Sequence, residues 1–141
     1  MKDEIFELSC NLDDMTGEEL GFASEVLLNA GALDVYTIPI GMKKNRPGVM
    51  LNVLCRPESR EKMVKLLFLH TTTIGVRETR HDRYILRREE ETRQTPYGPV
   101  RGKAVEGYGV RREKPEYEDL RRIALEQNIP IAQVRQAAEE G

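Results

Sequence analysis

The feature of this sequence that most constrains its fold is a change of hydrophobic period close to its start. Ile5 to Asn11 alternates, with Phe6, Leu8 and Cys10 on one face and Ile5, Glu7 and Ser9 on the other, the pattern of a half-buried strand. Thr16-Gly17-Glu18-Glu19 then forms a capping box, in which the Thr16 hydroxyl and the Glu19 carboxylate satisfy each other's free backbone N–H groups. From there Leu20, Ala23, Leu27 and Ala30 recur at helical spacing. Gly31 is a natural stop, because glycine tolerates the left-handed backbone that follows a helix.

The same alternation of elements then runs again. Val35 to Ile40 and Val49 to Cys55 read as two further strands, separated by the loop 41–48. Pro57 suits the start of a second helix, where its missing N–H costs nothing. Met63, Leu66, Leu67 and His70 lie along one side of that helix, and Val64 and Phe68 widen the stripe. Thr71-Thr72-Thr73-Ile74-Gly75 ends it, and a polar strand from Val76 to Tyr84 follows. With right-handed crossovers, this order predicts an α+β fold, a ferredoxin-like β-α-β-β-α-β sandwich with both helices on one face of a four-stranded antiparallel sheet. Topology alone then brings three segments to one sheet end: the turn after the first strand, the loop before the third, and the turn before the fourth.

Residues 1–85 are thus expected as one ferredoxin-like domain, and 86–141 as an extension of a β-hairpin and C-terminal helices. Ile85 to Thr95 and Val100 to Val105 flank Pro96-Tyr97-Gly98-Pro99, a hairpin turn signal. Both arms are strongly charged, so the hairpin is expected to lie against another surface, and a homo-oligomer follows as the expectation. Gly107-Tyr108-Gly109 reads as a break, and Pro115 as the opening of a helix carrying Tyr117, Leu120, Ile123 and Ala124. Asn128-Ile129-Pro130 interrupts it before a short last helix with Ile131, Val134 and Ala138. A helix-turn-helix reading of this pair fails on charge, since beyond the break only Arg135 suits DNA, while Glu139 and Glu140 repel phosphate.

Composition narrows the function classes. Lys plus Arg is 22 against 24 for Asp plus Glu, a net charge of -2, so bulk attraction to nucleic acid or an anionic membrane is not expected. The open sheet face of the first and third strands, with Ile5, Glu7 and Ser9, offers no aromatic platform for RNA bases. No run approaches the roughly 18 apolar residues of a membrane span, and Met1-Lys2-Asp3-Glu4 begins no signal peptide, so the expectation is a cytoplasmic protein. Cys10 and Cys55 sit in apolar runs without ligand spacing and read as buried thiols in a reducing compartment. His70 and His81 are too few and too separated for a nickel or zinc cage.

Chemistry concentrates at the shared sheet end. Asn11-Leu12-Asp13-Asp14 supplies paired carboxylates and an amide oxygen, hard donors for Mg²⁺ or Mn²⁺ when phosphates complete the shell. Acidic side chains near a helix N-terminus also stabilise the helix, but Thr16 already caps it, which leaves Asp13 and Asp14 with less structural work. Lys43, Lys44 and Arg46 surround Asn45 on a glycine-bounded loop. Alone they read as a solvated hairpin tip; beside the carboxylates they become candidates for a polyphosphate, with Arg46 offering bidentate contacts. Thr72 and Thr73 could donate hydroxyls to phosphate or sugar, and Arg77 lies just beyond them. No catalytic residue is assigned.

Several of these runs resemble the C-terminal domain of the LarC family: Asn11 to Leu20, Ala30 to Val35, Pro39 to Gly48, Thr71 to Arg77 and Pro115 to Asp119, in order and at matching spacing. The resemblance implies a CTP-dependent nickel-insertion protein, or cyclometallase, of the lyase class. Such a protein inserts Ni²⁺ into pyridinium-3,5-bisthiocarboxylic acid mononucleotide, forming one nickel–carbon and two nickel–sulfur bonds, and so completes the nickel-pincer nucleotide cofactor of lactate racemase-type enzymes. It implies CTP with Mn²⁺ or Mg²⁺ on this domain, with Lys43, Lys44, Arg46, Thr72, Thr73 and Arg77 on the nucleotide side and Asp13 and Asp14 on the metal side. Family proteins are longer, so the N-terminal region of the same protein is an expected partner and the place where nickel enters. Leu120 stands where relatives often carry cysteine, a departure that speaks against a nickel role for the final helices. The rival expectation is a non-catalytic ferredoxin-like regulatory or assembly module that binds a small ligand between subunits.

Overall fold

A computed structural model describes residues 1–140, which divide into two compact units, Lys2–Arg83 and a second made of Met1 with the chain from Tyr84 on. The first unit runs β1 (Lys2–Leu12), α1 (Gly17–Asn29), β2 (Asp34–Met42), β3 (Arg46–Cys55), α2 (Arg60–His70) and β4 (Arg77–Tyr84, whose last residue belongs to the second unit). Its sheet has the order β2-β3-β1-β4. That is the ferredoxin-like arrangement two interlocked right-handed β-α-β units produce.

Strand β1 is central because its alternation is the cleanest. Phe6, Leu8, Cys10 and Leu12 are buried on one face, where they form a core with Leu51, Val53 and Cys55 of β3, Leu27 of α1, and Met63 and Leu67 of α2. β1 and β3 pair antiparallel, Leu8 opposite Val53 and Leu12 opposite Val49. On its other side, Arg77 bonds Asn11, His81 bonds Glu7 and Arg83 bonds Asp3, so β4 runs against β1 as residue numbers fall on one and rise on the other. The Thr16 capping box is made in full. At the far end of α1 the Gly31 N–H reaches the Leu28 carbonyl and the Ala32 N–H the Leu27 carbonyl, a Schellman closure with Gly31 at φ 104°. Phe68, expected to widen the α2 stripe, is instead 46% exposed, as the stripe closes on Met63 and Leu67.

Two differences from the sequence reading have local causes. The loop 41–48 is mostly strand: Gly41 pairs with Pro47 and Ile40 with Gly48, leaving Lys43–Asn45 as a 3₁₀ turn. Gly48 leaves room there for the Met42 side chain: a Cβ would lie 2.3 Å from the Met42 sulfur, which would have to move, and 3.0 Å from the Leu12 carbonyl oxygen. The hairpin of the second unit is a three-stranded sheet, β5 (Arg87–Thr95), β6 (Gly98–Gly107) and β7 (Val110–Pro115). Gly107-Tyr108-Gly109 is no break but the tight turn joining β6 to β7, with Tyr108 and Gly109 at φ 51° and 77°. Pro115 therefore ends a strand, and α3 begins at Tyr117.

Helices α3 (Tyr117–Gln127) and α4 (Ile131–Glu140) close the second unit over a small core of Val100, Leu120, Ile123, Val134 and Ala138. Asn128 takes the left-handed conformation between them. A buried carboxylate ties α3 to β6: Asp119 accepts the Arg101 backbone N–H at 2.8 Å and its guanidinium Nη2 at 2.7 Å. The Arg101 side chain holds the Asp119 carboxyl at about 2, below the usual carboxylate range, against the opposing effect of burial. No helix among the described residues is long and apolar enough to cross a membrane.

Truncating the central strand tests the core: Leu8→Ala should lower unfolding free energy by about 2–5 kcal/mol in urea titrations, with the range typical of a fully buried leucine. Asp119→Asn should cost about 1.5–3 kcal/mol at pH 7, the worth of charge-assisted hydrogen bonds. Since the folded carboxyl titrates at about 2 and the unfolded one near 3.9, its stabilisation is complete above that unfolded value and fades as pH falls through the folded one. The gap between wild type and Asp119→Asn in acid denaturation should therefore narrow below about pH 4 and close near pH 2.

Candidate functional site

The end of the first sheet gathers residues from three segments. Strand β1 delivers Asn11 and, just past Leu12, Asp13 and Asp14. The β2–β3 turn delivers Lys43, Lys44 and Arg46, and the exit of α2 delivers Thr72, Thr73 and Arg77.

Side-chain contacts link these segments. Arg46 Nη1 lies 3.8 Å from Asp13 Oδ2, with the Asp13 side chain 29% exposed. The Thr72 hydroxyl donates a very short hydrogen bond to Asp14 Oδ1. Arg77 Nη2 donates to Asn11 Oδ1 at 3.0 Å. The two carboxylates are thus each tethered from a different loop. The Thr73 hydroxyl turns back on its own loop, donating to the Gly75 carbonyl at 2.7 Å. Thr71, which sequence reasoning did not single out, bonds the Leu67 carbonyl at 2.6 Å and fixes the exit of α2.

Lys43 and Lys44 differ from the rest. Both are exposed, and neither side chain makes a hydrogen bond or ion pair. Lys44 sits at φ 61°, ψ 29°, and Asn45 at φ 57°. Asparagine tolerates that left-handed region, whereas for lysine it costs about 1–2 kcal/mol. A strained residue at a turn tip that bears an unpaired cation is the kind of feature ligand clamps display.

The donor set suits a hard cation shared with phosphate: two carboxylates and an amide oxygen, with hydroxyl and guanidinium groups beside them. Among the described residues no three of His, Cys, Asp and Glu converge. Cys10, beneath the site, is buried, and burial pushes its thiol up, which leaves it a core residue.

The open face of the same sheet carries a polar string. The Tyr36 hydroxyl donates to Glu7 at 2.6 Å, and His81 Nε2 lies 2.9 Å from the other Glu7 oxygen. The Tyr36 hydrogen bond chiefly, with that of His81, holds the Glu7 carboxyl below its ordinary range. His81 is therefore not on a merely solvated face. Tyr36, 37% exposed, is the aromatic that a reading confined to the first and third strands missed, because it enters from β2.

The chain is similar to several known proteins. The family model described as nickel insertion protein matches residues 1–135. The pyridinium-3,5-bisthiocarboxylic acid mononucleotide nickel insertion protein of Acetivibrio thermocellus is 43% identical over 135 residues, covering 96% of this chain and 33% of that protein. The protein of the same description from Alkaliphilus metalliredigens is 44% identical over 137 residues, covering 97% of this chain and 32% of its own length. The chain thus spans about a third of the length of these relatives. Among solved structures, the apo form of LarC2, the C-terminal domain of a cyclometallase involved in synthesis of the NPN cofactor of lactate racemase, matches with a TM-score of 0.86. It is 40% identical and covers 100% of both chains. A protein from Methanopyrus kandleri AV19 matches with a TM-score of 0.78 and 28% identity over 99% of this chain and 88% of that one. With the match running through both units and through every segment of the sheet-end site, the chain belongs to the nickel insertion protein family.

Proposed function

We propose that this chain is the CTP-binding domain of a nickel insertion protein. In this reading it serves the insertion of Ni²⁺ into pyridinium-3,5-bisthiocarboxylic acid mononucleotide, the substrate in the relatives' name, toward the cofactor of lactate racemase-type enzymes. The observation that carries the reading is the junction of carboxylates and cations at one sheet end, with Arg46 beside Asp13 and Thr72 bonded to Asp14.

In this reading Lys43, Lys44 and Arg46 hold the triphosphate, the lysines as point charges and Arg46 as a fork. Asp13 and Asp14 hold Mn²⁺ or Mg²⁺, which when bound neutralises phosphate charge. Thr72 orients Asp14, while Arg77, through Asn11, fixes the strand end from which both carboxylates project. Thr73 contributes to the nucleotide side by shaping its loop. Nickel is a substrate and enters through the N-terminal region of the same protein. The whole protein then acts as a CTP-dependent lyase in the cytoplasm, with this domain contributing to a homo-oligomer.

Calorimetry of the intact chain with CTP and Mn²⁺ tests this. Binding should weaken roughly tenfold for each cation removed from the Lys43, Lys44 and Arg46 set, at about 1.5 kcal/mol per charge-assisted hydrogen bond. Unchanged binding in the triple alanine variant, or no preference for CTP over other nucleotides, would sink the reading in favour of a regulatory module that binds another ligand between subunits. Lys44→Gly should separate stability from function. Relieving the left-handed lysine is expected to raise unfolding free energy by about 1 kcal/mol, while affinity for CTP falls.

A further inference from the structure

The register of β5, β6 and β7 sorts the charges of the second unit onto two faces. On one face the arginines are matched: Arg93 pairs with Glu91 and Glu113, Arg111 with Glu91, Glu106 and Glu113, and Arg87 with Glu89 and Glu106. On the other face lie Arg88, Lys103, Arg112 and Lys114, all exposed and none with a side-chain hydrogen bond or ion pair; the one carboxylate in register among them, Glu90 opposite Lys103, makes no ion pair with it. Lys103 stands directly opposite Lys114 across β6 and β7. Like charges in that position destabilise a sheet, although carboxylates abound in the same unit. Such an arrangement is accounted for by an anion that arrives from outside.

A groove of about 530 Å³ runs from this face to the start of α3, lined by Arg88, Lys103 and Lys114 on the sheet and by Glu116, Tyr117 and Glu118 beyond it. Its volume is that of a small-molecule site. Its ends differ in sign: cations on the sheet, and at the helix start two carboxylates around a tyrosine that is 57% exposed. A simple polyanion would be repelled from the second end. A ligand with a cationic aromatic ring and anionic substituents would satisfy both, with the ring over Tyr117 and its phosphate and carboxylates on the sheet.

We infer that this groove binds a pyridinium mononucleotide, ring toward Tyr117, Glu116 and Glu118, and anionic groups toward Arg88, Lys103 and Lys114. The inference rests on the reading above, in which the protein handles such a substrate, and it assigns that substrate a place separate from the sheet-end site. Nicotinate mononucleotide, which has a pyridinium ring, a carboxylate and a phosphate, is a suitable probe, with CMP as a phosphate-matched compound whose base is neutral. Titrated into the intact chain, nicotinate mononucleotide should bind at least tenfold more tightly than CMP. Lys103→Gln with Lys114→Gln should weaken it tenfold or more, and so should Tyr117→Ala, while thermal melting of the lysine variant stays at or above that of wild type. Equal binding of CMP and nicotinate mononucleotide would show an unselective anion patch and overturn the inference, as would binding indifferent to these substitutions. CTP with Mn²⁺ titrated into the same lysine variant separates the two claims. Retained CTP binding beside absent nicotinate mononucleotide binding in wild type sinks this inference alone. Loss of CTP binding in the variant puts the nucleotide here and sinks both.

Discussion

The register of β1 is the constraint on which the first unit depends. The strand is hydrogen-bonded on both sides, and its two faces do unrelated work. Phe6, Leu8, Cys10 and Leu12 hold two helices, while Asp3, Glu7, Ser9 and Asn11 anchor partners on β3, β2 and β4. A slip of one residue would exchange these sets, putting leucine in water and carboxylates under the helices. The same register sets where the strand runs out, and so where Asp13 and Asp14 project. The pairing of Leu12 with Val49, and the little room beside Gly48 for a side chain against the Leu12 carbonyl, draw the adjacent hairpin to that point.

The second unit is held on a different balance. Its core has five fully buried side chains, so polar contacts must fix geometry that packing alone leaves loose. Asp119 locks α3 to β6, and Arg93 donates to the carbonyls of Ala138 and Glu139, meeting the last turn of α4 with positive charge. A buried carboxylate with a guanidinium fork is a weak source of net stability but a strong selector of one arrangement, because any alternative leaves the charge unpaired.

The same contrast explains what was legible in the sequence. Where burial is periodic, as in β1 and α1, residue type reports structure directly, and the ferredoxin-like order followed. Strand β7 was invisible because Val-Arg-Arg-Glu-Lys-Pro has no apolar alternation; it forms because a Tyr-Gly turn returns the chain along β6. The length of β2 and β3 was hidden by Gly41, Pro47 and Gly48, residues that ordinarily mark a loop and here meet close backbone approach. The grouping of acidic, basic and threonine segments was legible, since topology alone determines which loops share an end. Their individual contacts were not. That Thr73 turns inward while Thr72 turns to Asp14 depends on how one turn closes, which three consecutive threonines do not encode.

The two halves of the sheet-end site are prepared by different means. The carboxylates are positioned by side-chain contacts, Asp14 by Thr72 and Asp13 by Arg46. The lysines are positioned by backbone, through a left-handed turn that leaves their amines unengaged. A phosphate bound as proposed would find those amines free, but to take Arg46 it would have to compete with Asp13. That competition is mild, because a half-exposed pair 3.8 Å apart contributes little. A metal ion on Asp13 would shift the balance further, since a carboxylate shared with a divalent cation holds a guanidinium less strongly. Metal and phosphate would then each ease the binding of the other, because each relieves the partner that the other must displace from the Arg46–Asp13 pair.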